Sequence, residues 1–220
     1  DLFTDRQLLA LNTLTELVHK VRNQVILDAK AAGRTDDGRA LRDGGLGAQA
    51  YAEAVCVQLG MALSRLADSC NAHCRWAADK TQLKNLFSRQ AIPMSWDFFE
   101  ANPFAGGAGD FLISANTVAK ALDRWSGAGN GQISNLDAQS VKYPPGVVIS
   151  TDPPYYDNIG YADLSDFFFC WMKPVLKDIY PDLFGILATP KSEELVATPY
   201  RHGGKDAAES FFLEGMTRAI

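Results

Sequence analysis

Apolar residues recur at Leu11, Leu14, Val18, Val21 and Val25, a spacing that lays them on one face of a helix. Thr4 followed three positions later by Gln7 is a capping-box pattern and predicts where that helix begins. The stretch from Ala32 to Gly47 is rich in Gly, Asp and Arg and reads as a loop. A second helix is predicted over Ala48 to Asp68, with Val55, Leu59, Leu63 and Leu66 on one face, and the two helices are expected to pack as a hairpin. Next comes a basic segment, Lys80, Lys84 and Arg89 around Leu83, Leu86 and Phe87, whose spacing suits a helix. Ile92 to Phe99 is apolar and aromatic, a strand or a buried connector. Ala101 to Gly109 is a Gly-rich turn, Ser114 is a candidate cap for a third helix over Ala115 to Trp125, and Ser126 to Asn130 is a linker.

Beyond the linker the period changes. Gly131 to Leu136 reads as a strand ending near Asp137. Val147 to Ser150 is a β-branched run between Pro-Pro-Gly and Asp-Pro-Pro, the pattern of a short, fully buried strand. Such strands belong to parallel sheets covered by helices. Asp163, Ser165 and Asp166 look like the capped start of a helix whose Phe167, Phe168 and Trp171 are core, and a last helix is predicted from about Ala207. That helix is still running at Ile220, and Asp1 is not a Met, so the chain is expected to be a fragment of a longer protein. The expected fold class is α/β, with residues 1–125 mainly helical and residues 126–220 part of an α/β core.

Composition narrows the functional classes. Hydrophobic residues make up 47% and charged residues 21% of the 220, an ordinary globular balance, and no apolar run reaches membrane-spanning length. Four cysteines in a chain of this size suggest a reduced, cytoplasmic setting. A net charge of −5 argues against a protein that coats nucleic acid, since phosphate contacts need cations. An enzyme with a local basic groove stays compatible with it.

Val147-Val-Ile-Ser-Thr-Asp-Pro-Pro-Tyr155 carries the chemistry. In an open α/β sheet, ligands bind at the carboxyl ends of strands, where Asp152 to Tyr155 would fall. A base's exocyclic amine is a poor nucleophile because its lone pair is delocalised into the ring. Asp152 and the Pro153 carbonyl offer acceptors for its two N–H groups, which draws the lone pair out. Pro153 and Pro154 fix φ near about −65° and keep those acceptors aimed. Tyr155 supplies a flat face for a base swung out of its stack. The plain alternative is an ordinary turn, for which Asp-Pro-Pro is also good chemistry.

On these residues the chain resembles the amino-methyltransferases of DNA. Asp152-Pro-Pro-Tyr-Tyr-Asp-Asn-Ile-Gly-Tyr-Ala-Asp-Leu-Ser-Asp-Phe-Phe168 is similar to the zinc-ribbon-containing adenine-specific DNA methylase family of prokaryotes, also labelled a family of unknown function. Asp1 to Leu11, Arg89 to Phe98 and Asn102-Pro-Phe104 extend the likeness over most of the chain. The resemblance implies a partial Rossmann-like methyltransferase fold, S-adenosylmethionine as donor and DNA as partner. It implies Asp152, Pro153, Pro154 and Tyr155 as the catalytic loop. Asp137, Asn102 and Phe104 are the implied donor contacts, and Tyr156, Asn158 and Tyr161 would shape the base pocket. An RNA guanine-amino methyltransferase, or a non-catalytic DNA-recognition or scaffold piece, are the alternatives.

Phe104-Ala-Gly-Gly-Ala-Gly109 imitates a donor-binding glycine loop, yet too little chain separates it from Asp152 for the usual strand order. Either Gly106, Gly107 and Gly109 touch the donor, or they form a turn while the true glycine loop lies upstream of Asp1. Cys70 and Cys74 flank His73, but with no second pair they are expected to be free thiols, and no metal is assigned. Lys80, Lys84 and Arg89 are either a solvated helix face or phosphate contacts. Lys191 to Lys205, with Arg201 and His202, is either a plain loop or one that meets DNA.

Overall fold

A computed structural model describes residues 1–96, 98–125, 127, 131–157 and 159–220. Helices dominate: α1 (Asp5–Ala31), α2 (Ala48–Ser69), α3 (Phe111–Asp123), α4 (Tyr161–Leu176), α5 (Pro181–Phe184), α6 (Pro199–His202) and α7 (Lys205–Ala219). Two short strands, β1 (Arg75–Ala77) and β2 (Gln82–Lys84), pair antiparallel. The chain divides into two compact units. The first comprises Asp1–Ser126 and Ser165–Ala188, the second Gly127–Leu164 and Thr189–Ile220, so one boundary falls within α4. Among the described residues no helix is long and apolar enough to cross a membrane.

In the first unit the predicted capping box is present. The Gln7 backbone N–H donates to Thr4 Oγ1 at 3.3 Å, and the Gln7 side-chain oxygen accepts from the Thr4 N–H at 2.8 Å. This satisfies two backbone donors that a helix start otherwise leaves open. Leu11, Leu14 and Val18 on α1 bury against Cys56, Leu63 and Leu66 on α2. Val21 and Val25, toward the far end of the same stripe, are less covered. Phe167 and Trp171 on α4 join this core, with Phe3 stacked on Phe167 at 5.5 Å and edge-on to Trp171 at 5.2 Å. Glu53 is buried inside the unit and fully engaged: Oε1 takes Arg22, and Oε2 takes the Leu41 N–H at 2.7 Å.

The third helix begins earlier than Ser114. Asp110 is its cap, accepting the Ile113 N–H at 3.0 Å and the Gly106 N–H at 2.8 Å. Ser114 sits inside the helix, its hydroxyl bonded back to the Asp110 carbonyl at 3.1 Å. Gly106 and Gly109 adopt left-handed φ of 73° and 84°. A Cβ on Gly109 would also lie 2.7 Å from the Ala101 Cβ, so both backbone and space demand glycine there. The segment containing Lys80 and Lys84 is a hairpin rather than a helix, turning at Thr81 with φ 48°.

The α/β expectation is overturned, and with it the partial Rossmann-like sheet. About half the chain is helical, and the sheet found among the described residues has two strands. Gly131–Leu136 and Val147–Ser150 form no strand; Ile133 and Val148 are each 97% exposed. The reason is physical. A β-branched run is suited to a pleated, half-buried surface, but it becomes a strand only when a neighbour takes its ladder hydrogen bonds. Among the described residues no such neighbour accompanies either run. Most of the predicted linker, Ser126 and Ala128 to Asn130, lies outside the described residues.

Candidate functional site

The second unit is ordered around α4's first turn and α6. The Ala162 N–H at the start of α4 donates to Glu194 Oε1 at 2.9 Å, an anion where a helix leaves its donors open. Thr189 Oγ1 donates to the Ala162 carbonyl at 2.6 Å. Arg201, on α6, clamps two carboxylates: Nη1 meets Glu194 Oε2 at 2.7 Å and Nη2 meets Asp163 Oδ2 at 2.5 Å. The Tyr200 hydroxyl donates to the same Asp163 oxygen at 2.7 Å. Tyr200 first, and Arg201 next, hold the Asp163 carboxyl below its ordinary range, because both stabilise the charged form. Arg201 is thereby committed to internal partners, although its place in a basic, Gly-rich loop had also admitted DNA contact.

A groove of about 560 Å³ opens beside this network. Asp137, Pro154, Ala162, Glu193 and Glu194 are among its lining residues. Asp137 is held in a tight turn: its Oδ1 accepts the Gln139 N–H at 3.0 Å and its carbonyl accepts the Ser140 N–H at 3.1 Å. Two sequence-predicted site residues from different categories, Asp137 and Pro154, therefore share one groove. Three carboxylates stand on its lining, but Glu194 is paired with Arg201 and capped by the Ala162 N–H, and Asp137 Oδ1 is held by the Gln139 N–H, while Glu193 has no partner among the described residues.

The rest of the loop lies more open. Asp152, Pro153 and Tyr155 are exposed, Tyr155 by 61%. No described residue hydrogen-bonds the Asp152 carboxylate, so its lone pairs remain available to a ligand. Tyr156 turns toward α7. Its ring meets Phe212 edge-on at 5.3 Å, its carbonyl accepts the Ala197 N–H at 2.8 Å, and a hydrogen bond to the Glu209 carboxylate pushes its phenol up to about 12. Tyr161 opens α4 and is 43% exposed. Asn158 lies outside the described residues.

Asn102 and Phe104 belong to the first unit, whereas Asp137 belongs to the second. The Asn102 side chain accepts the Phe104 N–H at 3.0 Å, fixing the turn that leads to Asp110, and Phe104 is 72% exposed. The neighbouring Gly106 and Gly109 serve that turn, as their backbone angles and the Asp110 contact explain. Cys70 and Cys74 are buried thiols, each pushed up to about 11 chiefly by burial. The sequence reading missed the Arg201 clamp and the carboxylates of Glu193 and Glu194. Glu194 lies 32 residues from the Ala162 N–H it caps, so local pattern held no trace of it. The chain matches no family model, no curated protein and no solved structure.

Proposed function

We infer that the chain carries the amine-gripping loop of an S-adenosylmethionine-dependent methyltransferase that modifies an exocyclic amino group of DNA, adenine before cytosine, in a cytoplasmic setting. The observation that carries this reading is the shared groove: Pro154 of the Asp-Pro-Pro-Tyr loop and Asp137 line one acidic cleft with Glu193 and Glu194. The donor carries a sulfonium and a zwitterionic amino-acid end, net positive, and a cleft with carboxylates on its lining favours its cationic groups. Asp152 accepts one N–H of the target amine and the Pro153 carbonyl the other, so the nitrogen pyramidalises toward the donor methyl. In the transfer the N–C bond forms as the S–CH3 bond breaks, the donor leaving as the neutral thioether S-adenosylhomocysteine and one N–H proton passing to Asp152 or solvent. In-line positioning matters most, and two consecutive prolines supply a stiff support for it. Tyr155, exposed beside them, offers its ring to an unstacked base.

One observation favours a second reading, a non-catalytic recognition or scaffold piece. Asp152 is exposed together with the apolar run before it, whereas a working acceptor gains strength when water is excluded. The deciding experiment expresses the full-length protein and digests host DNA to nucleosides for mass spectrometry. N6-methyladenine in DNA from cells carrying the protein, absent with Asp152→Ala, is the expected result. Unchanged modification with Asp152→Ala removes Asp152 from the mechanism. Calorimetric binding of the donor to the full-length protein distinguishes the enzyme from the scaffold.

A further inference from the structure

The hairpin of the first unit concentrates positive charge without neutralising it. Its register sets Arg75 directly opposite Lys84. Like charges in facing positions of an antiparallel pair repel and destabilise it. Among the described residues no carboxylate pairs with Arg75, Lys84 or Arg89. The nearby Asp68 is already spent: its carboxylate takes the Asn85 side chain and the Phe87 N–H, the latter at 2.9 Å. A repulsive cation pair kept unneutralised on so small a hairpin has a physical rationale if an anion completes it.

Two of these cations, Arg75 and Arg89, line a groove; Lys84, across the hairpin from Arg75, is not part of its lining. Arg75 and Arg89 stand with His73, Asn85, Met94 and Trp96 around about 300 Å³ of space. His73 is oriented by the contact of Nδ1 with the Pro93 carbonyl at 3.2 Å. A carbonyl only accepts, so Nδ1 carries the proton and, in the neutral ring, Nε2 is an acceptor. Trp96 is 89% exposed and Met94 78%, an unusual commitment of apolar surface to water on the rim of a cationic site.

We propose that this groove is a nucleotide subsite, with a phosphate held between Arg75 and Arg89 and an unpaired base laid on the Trp96 indole. Guanidinium groups match phosphate geometry through parallel N–H donors. An exposed indole stacks on any base, provided the base is not already in a duplex. Pockets for small ligands begin at roughly 300 Å³, so the groove suits one nucleotide unit and not a folded partner. The net charge of −5 agrees with one local phosphate site instead of a coating surface. None of these residues lines the acidic groove, so the proposal does not rest on the methyltransferase reading.

Two sources share this chemistry, a free nucleotide and one unit of a single strand. Fluorescence anisotropy of a labelled thymidine oligonucleotide with the full chain, across a salt series, tests the site. Arg75→Gln with Arg89→Gln is expected to weaken binding at least tenfold and to reduce the slope of log K against log salt by about one. Arg75→Lys with Arg89→Lys should recover most of that slope, which separates lost charge from lost fold. Trp96→Ala should weaken binding with the slope retained. Displacement of the oligonucleotide by millimolar dAMP identifies the free nucleotide as ligand, and failure to displace identifies the strand. Binding unchanged in the Gln double variant, or a phosphoserine peptide held more tightly than either nucleotide probe, overturns the proposal. Loss of DNA methylation in Asp152→Ala with oligonucleotide binding intact would leave this subsite standing whatever becomes of the catalytic reading.

Discussion

Arg201 donates to Asp163 at 2.5 Å and to Glu194 at 2.7 Å, tying α6 to the first turn of α4 through a single guanidinium. Asp163, assigned a helix-capping role on sequence, is also a ligand of that clamp. The clamp stands beside the acidic groove, where Glu194 is both its partner and a lining residue.

The clamp makes the second unit acid-sensitive. Asp163 titrates below its ordinary value of 3.8, so its contribution is complete above that pH and is lost as pH falls through the lower folded value. Arg201→Gln is expected to speed hydrogen exchange at the amides of residues 200 to 204 at neutral pH. The difference from the parent should shrink below pH 3.8. An equal difference at both pH values would mean the arginine acts through packing alone.

Glu53→Ala should be among the most damaging single changes in the first unit. It strands Arg22, which is 28% exposed, and leaves the Leu41 N–H without its acceptor. Breaking one side of a buried pair costs about 3–5 kcal/mol, and the partial exposure of Arg22 puts the expected loss near the lower figure. Urea unfolding measures it; a midpoint unchanged within error contradicts it.

Gly109→Ala combines two penalties, a left-handed φ of 84° and a Cβ 2.7 Å from that of Ala101. Together they predict roughly 2–4 kcal/mol of destabilisation, from the left-handed backbone and from overpacking. Gly107→Ala, with open space around the added atom, should cost far less. Thermal melts of the two variants test the contrast, and equal melting temperatures would refute it.

Thiol chemistry should separate the cysteines. Cys70 and Cys74 are buried and pushed up to about 11, so almost no thiolate forms near neutrality. Cys170 is exposed. With an aromatic disulfide reagent at pH 7.5, Cys170 should react first and the three buried thiols, Cys56, Cys70 and Cys74, only on unfolding. Prompt reaction at Cys74 would show that the end of α2 opens readily.

What the sequence revealed follows from how local each cause is. Thr4 and Gln7 cap a helix three residues apart, and Leu11, Leu14 and Val18 mark its face within two turns, so both were legible. The helix carrying Phe167 and Trp171 was legible for the same reason. Val147 to Ser150 misled because a strand depends on a partner that the run itself does not contain, and side-chain preference encodes only suitability. Arg75 opposite Lys84 was hidden by spacing: Lys80, Lys84 and Arg89 fit a helix, and only the turn at Thr81 folds the segment carrying Lys80 and Lys84 into a hairpin, with Arg89 beyond it. In the candidate site, Asp137 and Pro154 were picked out separately, and their common groove depends on contacts far apart along the chain.

The exposure of Val148 and its neighbours has a further consequence for handling the molecule. A bare β-branched stretch is the kind of segment through which separate copies zip together into insoluble assemblies. Pro145 and Pro153 flank it, and a proline breaks the ladder such growth requires, so they act as gatekeepers that keep any sticky stretch short. Replacing either proline to probe the loop therefore carries a solubility risk unrelated to chemistry, and insoluble product should be checked before lost activity is ascribed to the site.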